Sequence, residues 1–153
     1  MRNVIAILHN ILSLYNVGSM FRTADGAGVS KLYLTGYTGF PPRKEIAKTA
    51  LGAEESVAWE RYRQIGRLIT KLKKRGYLIV AVENKRKNIK IAKYYQFQTK
   101  IPIVLIFGNE VRGLSKRVLK KADVILEIPM RGQKESLNVS VAFGIIAYQA
   151  LND

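Results

Sequence analysis

Three short stretches of this chain carry hydrogen-bonding side chains that an ordinary fold would not need there. In residues 128–148 (IPMRGQKESLNVSVAFGIIAY), Ser136, Asn138 and Ser140 interrupt an otherwise oily segment. One of them, Ser136 or Asn138, suffices to cap a helix by accepting the orphan amides of its first turn. Three exceed that need, and the surplus suits a polar ligand held where strand, loop and helix meet. In residues 16–28 (NVGSMFRTADGAG), Met20, Phe21, Ala24 and Ala27 recur at helical spacing and should face a core, but Asn16 and Arg22 lie outside that stripe. In residues 101–114, the apolar run IPIVLIF stops at Gly108-Asn109-Glu110 before a short basic helix. Strand, glycine-rich loop and helix in that order commonly cradle a ligand.

What the chain lacks narrows the chemistry. It has no cysteine and one histidine, His9. A disulfide framework, a thiolate zinc site and a cysteine nucleophile are therefore excluded. So is methylation at pyrimidine carbon 5, which generally proceeds through a cysteine adduct. His9, closing an apolar run, reads as a hydrogen-bonded structural imidazole. Gly26 and Gly28 invite a dinucleotide-binding reading, but they follow a helix instead of joining a strand to one. They read as that helix's left-handed stop.

The elements that must position these residues follow from apolar periodicity. Buried strands are predicted at residues 3–8, 31–35, 56–59, 77–82, 101–107 and 124–128, with Trp59 as a core anchor and Pro129 ending the last strand. Residues 16–28 read as a loop running into a helix, and further helices are predicted at 44–51, 61–75, 116–121 and 136–148. The last is apolar almost all round and should be buried rather than surface-lying. Five or six parallel-type strands alternating with helices give an α/β fold, a mostly parallel sheet flanked by helices. Glu83 and Asn84 fall at a strand's C-terminal edge, where such sheets place ligands.

A chain of 153 residues with 48% hydrophobic content is expected to form a single domain over its whole length. No stretch is long enough to span a membrane, and no signal-peptide pattern opens the chain, so a cytoplasmic location is expected. Lysine and arginine number 26 against 11 acids, a formal charge of +15, which favours a polyanionic partner and nucleic acid first. The cations cluster at Arg63, Arg67, Lys71 and Lys74, in residues 85–93 beside Tyr94, Tyr95 and Phe97, and at Lys116, Arg117, Lys120 and Lys121. Each cluster is either a solvated face or a phosphate track; base beside aromatic is common on RNA-contacting surfaces.

The motifs NVGSMFRTA, FGNEVRGL and IPMRGQKESLNVSVA, in that order, resemble the three motifs of the SpoU (TrmH-type) RNA ribose methyltransferases of the SPOUT class. The resemblance covers nearly the whole chain. It implies a C-terminal trefoil knot, which general topology rules would not suggest, and a homodimer with its active site at the subunit interface. It implies methyl transfer from S-adenosylmethionine to a ribose 2′-hydroxyl of tRNA or rRNA, with neither metal nor covalent intermediate. Arg22 would be the central catalytic residue. A guanidinium is effectively always protonated, so holding the target phosphate and stabilising the developing alkoxide suits Arg22 better than acting as general base. Asn16 and Glu110 would orient Arg22 or the ribose, and Ser136 and Asn138 would shape the site. Cofactor contacts, mostly through backbone, would come from Val82, Gly108, Ile128, Ser136 and Leu137. Compared with larger members, no separate RNA-recognition domain is expected. A catalytically silent RNA-binding protein and an RNA base N-methyltransferase are the alternatives.

Overall fold

The computed structural model describes residues 3–84 and 91–152. Within them, seven strands form one sheet: β1 (Val4–His9), β2 (Lys31–Thr35), β3 (Trp59–Tyr62), β4 (Leu78–Val82), β5 (Ala92–Lys93), β6 (Ile103–Phe107) and β7 (Val124–Glu127). Their spatial order is β3-β2-β1-β6-β4-β7-β5, and every pairing is parallel. The helices are α1 (Leu14–Ala27), α2 (Lys44–Ala50), α3 (Ala53–Ser56), α4 (Ile65–Lys74), α5 (Lys116–Lys121) and α6 (Val139–Leu151).

Strand alternation splits the core in two. Val4, Ala6 and Leu8 of β1 point to one face, among Met20 and Phe21 of α1 and Phe143 of α6. Ile5 and Ile7 point to the other, among Leu68 and Leu72 of α4 and Val118 and Leu119 of α5. With helices on both faces, the strands must read as continuous apolar runs. Each fully buried Val, Leu or Ile contributes roughly 1.5–3 kcal/mol, so neither face of a central strand can carry polar residues cheaply. The predicted α/β class with a mostly parallel sheet is what the chain adopts. No helix among the described residues is long and apolar enough to cross a membrane.

Four sequence expectations need correction. The strand expected at 56–59 lies at Trp59–Tyr62, because Gly52 (φ 93°) redirects the chain into the single turn α3. Pairing begins only where Trp59 meets Leu32. Trp59 itself is half-buried at the sheet edge, its ring 6.2 Å from that of Phe40. The helix expected from 61 starts at Ile65, since Arg61 and Tyr62 are held extended opposite Leu34 and Thr35. Helix α1 starts at Leu14, ahead of Asn16, because the Ser13 side chain caps it by accepting from the Asn16 amide. Helix α6 starts at Val139 instead of 136 and is not enclosed: Phe143, Ile146 and Ala147 are buried, but Val141 is 51% and Tyr148 55% exposed. The basic run at 85–93 falls mostly outside the described residues; Ala92 and Lys93 form a short strand beside β7.

Candidate active site

Because all strands are parallel, their C-terminal ends share one edge, and every motif loop opens there. A cleft of about 600 Å³ lies beyond the ends of β4, β6 and β7. Its lining includes Val82, Gly108, Ile128, Ser136 and Leu137, the five positions implied as cofactor contacts, together with Glu110. Val82, Phe107, Leu137 and Ala142 supply apolar wall, and Glu83, Glu127 and Glu135 supply carboxylates. Gly108 cannot carry a side chain: a Cβ there would lie 2.7 Å from Leu114 Cδ2 and 2.8 Å from the Gly113 carbonyl carbon. The loop is thus folded tightly upon itself beside the cleft.

Glu83 and Asn84 hold this cleft in shape. The Glu83 carboxylate accepts from the Leu114 amide at 2.6 Å and sits against Gly113, whose φ of 67° and close carboxylate leave no room for a Cβ. Asn84 Nδ2 donates to the Glu135 carbonyl at 2.8 Å, tying β4 to the loop of residues 128–137. The buried Asn109 fixes the other loop. Its Oδ1 accepts from the amides of Val111 and Arg112, both at 2.8 Å, and its Nδ2 donates to Asn10 O at 3.0 Å and to the Tyr37 hydroxyl at 2.7 Å. The sequence marked Glu83 and Asn84 only by position, and Asn109 only as part of a motif.

Beside the cleft, three predicted residues meet. Glu110 Oε1 accepts from the Leu12 amide at 2.8 Å, and Oε2 from the Ser13 amide at 2.9 Å and Asn16 Nδ2 at 3.0 Å. The carboxylate thereby also supplies negative charge to the N-terminus of α1, which has no acid in its first turn. Burial pushes the Glu110 carboxyl up, but the Leu12, Ser13 and Asn16 hydrogen bonds outweigh it and hold the group below its ordinary value. With its NH₂ on the carboxylate, Asn16 turns Oδ1 toward Asn138 Nδ2 at 3.4 Å. Asn138 in turn caps α6, its Oδ1 accepting from the Ser140 amide at 2.8 Å. Every amide orientation in this series is set by its neighbour. Of the two residues that could cap α6, Asn138 does so, and Ser136 stays exposed on the cleft wall.

Arg22 stands apart. It is exposed on α1 and borders a shallow hollow with Ser19, Lys48 and Tyr148, outside the cleft. Within one chain the structure does not bring it to the other four. His9 is structural as expected: Asn10 Oδ1 accepts the Tyr37 amide, so Asn10 Nδ2 faces His9 Nε2 at 3.3 Å and His9 Nδ1 donates to Thr35 Oγ1 at 2.8 Å. Burial lowers its pKa and keeps the ring neutral.

A parallel α/β sheet with a cleft at its C-terminal edge and an Asn–Glu–Asn cluster beside that cleft makes this an α/β protein with its candidate ligand site at the strand ends. More specifically, the model of the SpoU rRNA Methylase family matches residues 3–148, and the chain belongs to that family. It is 28% identical over 148 residues to a 23S rRNA (guanosine-2'-O-)-methyltransferase, RlmB, of Ralstonia nicotianae, covering 97% of this chain and 58% of that protein. The crystal structure of an AdoMet-bound rRNA methyltransferase from Sinorhizobium meliloti superposes with a TM-score of 0.88 at 27% identity, over 96% of this chain and 55% of that one. A solved structure described as giving insights into the 2-OH methylation of C/U34 on tRNA has a TM-score of 0.85 at 27% identity, over 97% of this chain and 94% of that one. The first curated relatives are also matched over only 57% of their length.

Proposed function

We propose that this chain transfers a methyl group from S-adenosylmethionine to a ribose 2′-hydroxyl of tRNA or rRNA, in the cytoplasm and as a homodimer. The observation that carries this reading is the Asn16–Glu110–Asn138 cluster abutting the cleft, with charged and amide groups already oriented by one another. The cleft fits the donor in size and chemistry: about 600 Å³, apolar walls, and a lining that includes Gly108, Ile128 and Leu137. When bound, the donor supplies an activated methyl group and its own leaving group. The protein's part is to position the hydroxyl and stabilise its developing negative charge as the proton departs to solvent. Asn16, fixed by Glu110, orients the ribose or Arg22, and Ser136 and Asn138 border the place where ribose and donor meet.

Arg22 fits this scheme as a residue contributed across an interface. Arg22 and the exposed Tyr148 share one hollow lined by α1, α2 and the end of α6, and Val141 exposes further apolar surface on α6. A second copy docked there covers the open side of α6 and carries each Arg22 into the interface. The proposal includes the trefoil knot, threaded by the loops that follow β6 and β7, and a single domain over residues 1–153.

Arg22→Ala tests the reading. Transfer of labelled methyl to RNA should fall by about 10²-fold or more, as when a group stabilising transition-state charge is removed, while calorimetric affinity for S-adenosylmethionine stays within about twofold. Full transfer by the variant would remove Arg22 from the mechanism. No saturable donor binding by the wild type, with RNA binding retained, would favour the silent RNA-binding protein. Digestion of the product to nucleosides separates ribose from base methylation.

A further inference from the structure

Charge is segregated between the two helical layers. Helix α6 (VSVAFGIIAYQAL) has no charged residue, and α1 has only Arg22 and Asp25. On the opposite face of the sheet, α4 and α5 lie side by side, the α-carbon hydrogen of Gly66 pointing toward Lys121. Residues 61–75 carry seven lysines and arginines, residues 115–122 carry four, and neither segment contains an acid. All of these cations are exposed except the partly buried Lys121. Only Lys73 forms an ion pair among the described residues, with Asp123 at 3.5 Å.

This arrangement works against the helices themselves. Arg67, Lys71 and Arg75 follow one another at i, i+4 spacing, as do Lys116 and Lys120, and Arg117 and Lys121. Like charges at that spacing repel and weaken a helix. Arg67 also lies in the first turn of α4, and Lys116 and Arg117 in that of α5, where acids would be stabilising and none is present. Solubility does not require such one-signed clustering, since interspersed or acidic charge serves it better. An external polyanion running along both helices relieves the repulsion at every position.

We infer that the α4–α5 layer is a docking track for the phosphodiester backbone of the substrate RNA, on the face of the sheet opposite α1 and α6. The inference rests on the RNA reading of the cleft and adds where the body of the RNA lies. Both helices follow loops at the C-terminal edge of the sheet, α5 directly after the loop of Gly108 and Glu110. The track therefore begins at the rim that carries the cleft and leads away from it. It grips phosphate, so it contributes affinity and orientation without reading sequence.

The test is the full chain carrying Arg67→Gln, Lys71→Gln, Lys116→Gln and Lys120→Gln together, compared with wild type. Binding to unfractionated tRNA and to rRNA fragments would be followed by fluorescence anisotropy over a range of salt. The expected result is affinity lowered about tenfold or more at low salt, with the log–log salt slope reduced by roughly 0.7–0.9 for each phosphate that is no longer neutralised. KM for RNA rises, while kcat at saturating RNA and donor affinity stay as in wild type. Unchanged RNA affinity and slope, with wild-type activity intact, would overturn the track and leave the enzyme reading standing. A fall in kcat or donor affinity with unchanged RNA binding would also overturn it. Absence of both RNA binding and methyl transfer in the wild type would instead remove the enzyme reading, and this surface with it.

Discussion

Glu110 serves two elements with one carboxylate, closing the N-terminus of α1 through the Leu12 and Ser13 amides and orienting Asn16 from the same side. Its folded carboxyl lies below the ordinary value of 4.5. Its charge therefore stabilises the fold above that pH, and the contribution disappears as pH falls from there through the folded value. Glu110→Gln should cost about 1 kcal/mol near neutrality, below the usual range for a charge-assisted hydrogen bond because the group is partly exposed and solvent screens it. The gap between wild type and variant, measured by urea unfolding, should narrow as pH drops below the carboxylate range; a constant gap would show that charge is not what holds the carboxylate in place. Asn16 was legible in sequence because it lies outside the apolar stripe of its segment, Asn138 because its stretch holds more polar residues than one cap requires, and Glu110 through the motif resemblance. Glu83 was less so. Its role is to receive an amide 31 positions away, and no local pattern announces that.

At the scale of elements, Asn138 is both the cap of α6 and the link to Asn16, and one substitution separates the two. Asn138→Asp keeps an oxygen for the Ser140 amide and places a negative charge at a helix N-terminus, so stability should change by less than about 0.5 kcal/mol. The same change removes the Nδ2 donor to Asn16 and adds a charge near Glu110, so methyl transfer should fall by about tenfold or more. Loss of both stability and activity in parallel would mean that Asn138 acts only as a cap. The elements themselves were largely readable, since β2 and α5 occupy the residues that periodicity assigned. The misplacements have separate causes: a glycine turn ahead of β3, a serine cap on α1, an asparagine cap on α6 and, for α4, a strand partner. In residues 61–75 the amphipathic stripe is continuous, yet pairing with β2 holds Arg61 and Tyr62 extended, and such a partner is invisible to a local pattern.

For the whole molecule, the oily composition of α6 is explicit in the sequence, whereas its own chain covers only part of it. A helix apolar on every side can be covered by its own chain or by another, and composition does not distinguish the two. Val141→Lys should convert the proposed dimer to monomer in sedimentation and lower transfer by about tenfold or more, with the monomer's fold retained because Val141 is not in the core. A dimer that survives the substitution would place the interface elsewhere. The Asn138–Asn16 link joins residues 122 positions apart, and Glu110 reaches back 98 to Leu12. Such distant pairings carry a loop-closure cost and slow folding. Since synthesis runs from the N-terminus, a nascent chain that has not yet delivered residue 138 to the folded sheet can pair Glu110 with Asn16 but lacks the Asn138 link. A chain halted before residue 138 therefore lacks the link that joins the start of α6 to the Asn16–Glu110 pair.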